Sequence, residues 1–273
     1  MNKQKFSDLA KQGYTHIPVF REVAADLDTP LSAYLKLANT ANSFLFESVQ
    51  GGERWGRYSI IGLQCNESLH VRGEHIEVIR DGKCIEQTQQ TDPRFVGGLV
   101  GYFGYDTIRY VEPRLGKCLN PDEFGTADIV LMLSTEILVF DNLKGSVYIV
   151  VLAAAEDDGF TSAESRIDEL ALGLQNNVPL SPLTVHDGDV PELDFVSGFS
   201  EAGFKDAVVK AKQYIAAGDV MQVVLSQRLN ADFKGNAIDV YRHLRRLNPS
   251  PYMYYLNMGD FEIVGSSPEI LVR

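Results

Sequence analysis

His75-Ile76-Glu77-Val78-Ile79-Arg80-Asp81-Gly82-Lys83-Cys84-Ile85-Glu86-Gln87-Thr88 decides the fold class. Two runs of β-forming residues meet there at Asp81-Gly82, a dipeptide that supplies the positive φ angles of a two-residue hairpin turn. Antiparallel strands are the direct expectation. Working outward, residues 128–140 and 146–154 bracket Asp141-Asn142-Leu143-Lys144-Gly145 and predict a second hairpin. Residues 44–49 and 58–62 are rich in β-formers and bounded by glycines, so they predict two more strands, with Gln50-Gly51-Gly52-Glu53-Arg54 as the turn between them.

Helices are marked by their ends. Thr29 before Pro30 reads as a cap followed by a residue whose missing N–H costs nothing in the first turn. Ile167, Leu170, Ala171 and Leu174 recur at helical spacing and predict a helix over 162–175. Ser200 opens another, with Phe204, Val208, Ala211 and Ile215 on one face and Gly218 closing it. A strand over 220–229, a helix over 237–247 and a hairpin of 252–257 with 261–265 follow. Residues 97–106, rich in glycine, read as a closely packed strand and turn, because no phosphate-loop spacing is present. Three prolines and several acids mark 177–199 as a linker, giving domains at 1–176 and 200–273. The fold class expected is α+β, built mainly from antiparallel sheets with helices outside.

Composition narrows the function. A chain of 273 residues, 45% apolar, can bury a sizeable core. Its formal net charge of -12 argues against a nucleic-acid partner, since neutralising phosphates needs a basic face and no cluster exceeds Arg245-Arg246. No apolar run approaches a membrane span, which makes the cytoplasm the expected compartment. Cys65, Cys84 and Cys118 form no C-x-x-C pair, and the five histidines show no zinc spacing.

Chemistry-bearing residues concentrate late in the chain. Alternation in a strand over 220–229 would put Gln222, Ser226 and Arg228 on one face of an otherwise apolar segment. Polar groups so placed need partners or water. Glu269 follows Pro268, whose fixed φ biases Ser267 toward an extended conformation and helps to aim a carboxylate.

Three segments in order, Gly218-Asp219-Val220-Met221-Gln222-Val223-Val224-Leu225-Ser226-Gln227-Arg228, Asn248-Pro249-Ser250-Pro251-Tyr252-Met253 and Gly265-Ser266-Ser267-Pro268-Glu269, resemble the opening of the chorismate-binding domain of anthranilate synthase component I. Ile17-Pro18-Val19-Phe20-Arg21-Glu22 extends the likeness toward the start. The resemblance implies a sandwich of antiparallel sheets, incomplete at its C-terminal end. It also implies that a P-I-A-G-T segment and the glutamates that bind Mg2+ lie outside this chain.

What the family would do follows from the same likeness. Ammonia, released by a glutamine amidotransferase subunit, attacks chorismate, and pyruvate is lost to give anthranilate. Relatives that add water carry a lysine where Gln222 stands here. Glutamine cannot take a proton from water, which fits a member that uses ammonia. Gln222 and Glu269 are the catalytic candidates by this likeness.

Leu45-Phe46-Glu47-Ser48 and Gly56-Arg57-Tyr58-Ser59-Ile60-Ile61-Gly62, together with the segment around Pro251, Tyr252 and Met253, resemble the two halves of the family's L-tryptophan inhibitor site. Glu47 is a candidate partner for the ligand's ammonium, Ser48 for a polar contact, and Pro251, Tyr252 and Met253 for the indole slot. Alone, the chain is expected to turn over little substrate and to self-associate through unpaired strand edges. Aminodeoxychorismate synthase component I and a non-catalytic tryptophan-binding module are the alternatives.

Overall fold

The computed structural model describes residues 1–49, 56–88, 98–118, 121–179 and 193–270. In chain order these form α1 (Lys3–Lys11), β1 (His16–Ala24), α2 (Pro30–Leu37), β2 (Ser43–Glu47), β3 (Tyr58–Gly62), β4 (Glu67–Arg72), β5 (His75–Arg80) and β6 (Lys83–Thr88). Next come β7 (Gly98–Phe103), α3 (Ile108–Val111), β8 (Ile129–Ser134), β9 (Glu136–Asp141), β10 (Ser146–Ala154) and α4 (Gly159–Gly173). The remainder is β11 (Val196–Ser197), α5 (Glu201–Ala217), β12 (Leu229–Asn230), α6 (Ala237–Leu247), β13 (Tyr252–Asn257) and β14 (Glu262–Ser267). Two compact units result, residues 1–182 with 237–273, and residues 183–236.

The first unit carries two antiparallel sheets, of order β1-β10-β9-β3-β2-β13-β14 and β6-β5-β4-β8-β7. Strand alternation divides its apolar residues into two cores. Leu45, Leu138, Ile149, Met253 and Tyr255 face α2, α4 and α6, whose Tyr34, Ile167 and Tyr241 close that core. Phe44, Ile137 and Leu256 leave the opposite face of the same sheet and meet Val130, Met132 and Tyr102 of the other. The order of layers is therefore helices, seven strands, five strands, which agrees with the α+β sandwich expected.

Local chemistry explains the best-defined joints. Asp81 and Gly82 both take positive φ, 50° and 72°, and Arg80 pairs with Lys83, as the two-residue turn requires. Thr29 and Ser32 form a reciprocal capping box at the start of α2. Arg57 grips Asp141 through Nε and Nη2, the latter at 2.8 Å, tying the entry of β3 to the turn after β9. That contact holds the Asp141 carboxyl below the usual carboxylate range. No helix of the described residues is long and apolar enough to cross a membrane.

Three expectations change. The run 128–140 is two strands: β8 joins the five-stranded sheet, β9 the seven-stranded one, and Thr135 between them accepts a hydrogen bond from Leu152 N. A run made of apolar residues on both faces gives no periodic sign of such a break. Residues 220–228 form no strand, because among the described residues of the second unit only β11 offers a paired edge and it meets β12. Finally, α6, β13 and β14, placed by the sequence in a domain starting at 200, belong to the first unit. The predicted turn at 50–54, Gly97, most of the 177–199 linker and the final three residues lie outside the described residues.

In the second unit Ser200 caps α5 by accepting from Gly203 N, and Gly218 ends it at φ 85°. Phe204, Val208, Ala211 and Ile215 line one open groove with Val223 and Leu225, as the helical spacing indicated.

Gly101 sits where β7 crosses β8 so closely that an added Cβ would lie 1.8 Å from the Val130 carbonyl oxygen. Gly101→Ala is predicted to lower stability by about 2 kcal/mol or more, because backbone has to move to admit the methyl. Urea denaturation checks this, and an unchanged midpoint contradicts the close approach.

Candidate functional site

Two segments far apart in sequence become neighbours toward one end of the large sheet. β2 pairs with β13 so that Glu47 lies opposite Met253, and beyond the ladder Val49 N donates to Ser250 O at 3.0 Å. The structure thus brings Glu47, Ser48, Pro251, Tyr252 and Met253 together on adjoining chain. Met253 is 1% exposed, Pro251 and Tyr252 are half-buried, and Ser250 is buried with its hydroxyl accepting from Tyr252 N.

Alternation points Glu47 into the core under the helices. It is a carboxylate only 4% exposed, and such a group requires both a countercharge and hydrogen bonds. Arg245 supplies the first, with Nε at 3.0 Å from Oε2 and Nη2 at 3.1 Å from Oε1. Tyr241 donates its hydroxyl to Oε2 at 2.6 Å. One helical turn apart on α6, Tyr241 and Arg245 reach the same carboxylate from one face.

An aromatic train continues the contact. The Tyr241 ring meets Tyr255 at 6.1 Å, and Tyr255 meets Tyr34 edge-on at 5.6 Å. Tyr34 shares a 2.9 Å hydrogen bond with Ser43, which in turn donates to Thr40 O. Three tyrosines on three elements therefore run from Glu47 toward α2.

Sequence reasoning missed Tyr241 and Arg245 as site residues. A signal existed: their four-residue spacing on a helix already expected over 237–247 placed a hydroxyl and a guanidinium on one face. Glu47, expected to receive a ligand's ammonium, instead accepts three protein donors.

The catalytic candidates are placed differently. Gln222 is exposed in the irregular segment of the second unit, and Glu269 is exposed just past β14, its carbonyl accepting from the Ser267 hydroxyl. No three His, Cys, Asp or Glu side chains come together among the described residues to hold a cation. These residues do not fit a magnesium site.

Burial is the main cause that raises the hydroxyls of Tyr34, Tyr241 and Tyr255, Tyr34 to about 12. For Tyr241 the Glu47 charge adds to the effect. In the unfolded chain these phenols ionise near pH 10, so above that pH the unfolded state holds fewer protons and stability falls as pH rises; below pH 10 the contribution is complete. Tyr241→Phe is predicted to cost about 2 kcal/mol at neutral pH by deleting a hydrogen bond to a charged group. It also flattens the alkaline fall. Denaturation curves between neutral and strongly alkaline pH check both, and identical alkaline slopes for variant and parent contradict the assignment.

Residues 41–273 match the family of chorismate binding enzymes. The whole chain is similar to anthranilate synthase component 1 of Pseudomonas putida, at 47% identity and covering 60% of that protein. For the same component of Aquifex aeolicus the identity is 40%, over 96% of this chain and 57% of the relative. The crystal structure of anthranilate synthase component I from Streptococcus pneumoniae TIGR4 superposes with a TM-score of 0.62 at 27% identity, over 90% of this chain and 57% of that one. The chain thus spans 60% of the length of the Pseudomonas relative. With most of its residues, the ladder joining β2 to β13 included, inside one family match, the chain belongs to the chorismate-binding enzymes.

Proposed function

We propose that this chain is the amino-terminal portion of an anthranilate synthase component I, carrying its L-tryptophan effector site and part of its catalytic surface. The observation that carries the reading is the pairing of Glu47 with Met253, which joins both halves of the expected effector site in one ladder. Pro251 and Tyr252, both half-buried, offer apolar surface for an indole over the buried Met253, and Ser48 and the Ser250 backbone offer polar contacts.

In the complete reaction, ammonia from an amidotransferase subunit displaces the chorismate hydroxyl, and elimination of pyruvate leaves anthranilate. Gln222 would bind and orient near the attacking amine without taking its proton, and Glu269 would serve the proton transfers near the ring. Magnesium would counter the charge of the substrate carboxylate when bound. Both candidate side chains are exposed, which supports little turnover by this portion alone. Lyase chemistry and effector control in the cytoplasm follow from the same reading. Met221, 98% exposed, and Val224, 82% exposed, support self-association of the second unit.

Calorimetry with L-tryptophan tests the reading. Micromolar binding is expected, weakened about tenfold or more by Ser48→Phe, which crowds the site, or by Met253→Thr, which removes apolar contact. Chorismate binding without tryptophan binding would favour the aminodeoxychorismate-type assignment. In a chorismate plus ammonia assay the chain should give no anthranilate fluorescence above background, and turnover at an ordinary enzyme rate, about 1 per second or faster, contradicts the partial catalytic surface.

A further inference from the structure

The second unit has a helix with well-specified ends and no interior to pack it against. Ser200 and Gly218 fix both termini of α5, through a side-chain cap and a left-handed residue, yet none of its 17 residues is buried. Indeed, no described residue from 193 to 236 is buried. Phe204, Val208, Ala211 and Ile215 face one open groove, with Val208 38% and Ile215 42% exposed. A helix in a folded protein draws most of its stability from packing such a face, so α5 is built for a cover that these residues do not supply. Beside it, residues 220–227 alternate like a strand but make no backbone-to-backbone hydrogen bond among the described residues. Val223 and Leu225 line the α5 groove, and the peptide groups of the run stay open for pairing.

The length of the relatives indicates what the cover is. All of this chain matches the Pseudomonas putida relative, but only 60% of that protein is matched, which leaves two-fifths of it without a counterpart here. Residues 41–273, α5 and the 220–227 run included, lie inside one family match. A second copy of this chain would bring only another uncovered helix and another unpaired run. We infer that the second unit is a docking element for a separate polypeptide that corresponds to the unmatched two-fifths. The apolar face of α5 packs on that partner, and residues 220–227 pair with one of its strand edges. This rests on the reading of the chain as a portion of a component I, and it names the partner that completes it. Self-association is then what the same surface does while that partner is absent.

The test uses the whole chain, tagged and co-expressed with the unmatched stretch of the Pseudomonas putida relative as a second polypeptide. A stable complex of one copy of each is expected, in which amide hydrogen exchange over 220–227 slows about hundredfold or more. Val208→Asp with Ile215→Asp should weaken the complex about hundredfold or more, whereas Gln213→Asp, on the opposite side of α5, changes it by less than about twofold. Urea denaturation of the first unit should be the same in all three variants, which separates lost docking from lost folding. The same stretch joined after Arg273 in one polypeptide covers failure of the partner to fold alone. Unchanged exchange over 220–227 in both formats overturns the inference. So does protection that grows with concentration in the chain alone and is not displaced by the partner, which makes a second copy the occupant. Anthranilate fluorescence from chorismate and ammonia reports on the underlying reading separately. Protection without fluorescence leaves the docking element standing and removes the anthranilate assignment, and fluorescence without protection does the reverse.

Discussion

The Glu47 carboxylate constrains everything around it. Lying inside a layer of apolar side chains, it depends on the hydrogen bonds of Arg245 and Tyr241, and those residues stand 198 and 194 positions away in sequence. Desolvating such a triad is costly, and an apolar substitute of equal shape could be as stable. What the triad supplies is definition: α6 has one rotation and one height over β2 at which both donors meet both oxygens. Tyr255 and Tyr34 pass that placement on to β13 and α2 through ring contacts.

Register in the large sheet then has little freedom. β2 and β13 are buried on both faces, Leu45, Glu47, Met253 and Tyr255 toward the helices and Phe44 and Leu256 toward the five-stranded sheet. A slip of one residue would exchange the two sets and drive Glu47 between the sheets, away from its cation. The pairing of Glu47 with Met253 and the stability of the core are for this reason one structural fact.

Much of the fold was legible where local chemistry is decisive. Asp81-Gly82 admits few alternatives as a turn, and Thr29-Pro30 and Ser200 marked helix starts that the structure keeps. Legibility failed where partners decide. Nothing in 128–140 says that β8 and β9 serve different sheets, since both read as continuous apolar runs. Residues 220–228 alternate like a strand, but alternation provides no neighbour to bond. α1 went unread because its anchor is the long-range packing of Phe6 on Phe160. At the site, resemblance alone joined Glu47 to Met253. Arg245 stood in the sequence only as half of the Arg245-Arg246 pair, and only tertiary structure reveals the buried acid it serves.

The central claim is that Glu47 and Arg245 form one coupled, largely desolvated centre joining distant parts of the chain. A double-mutant cycle with Glu47→Gln, Arg245→Met and the combined variant, read by chemical denaturation at neutral pH, measures that coupling directly. The account predicts an interaction of about 2 kcal/mol, with the double variant more stable than the Arg245→Met single. Additive effects, with coupling within about 0.5 kcal/mol of zero, would contradict it.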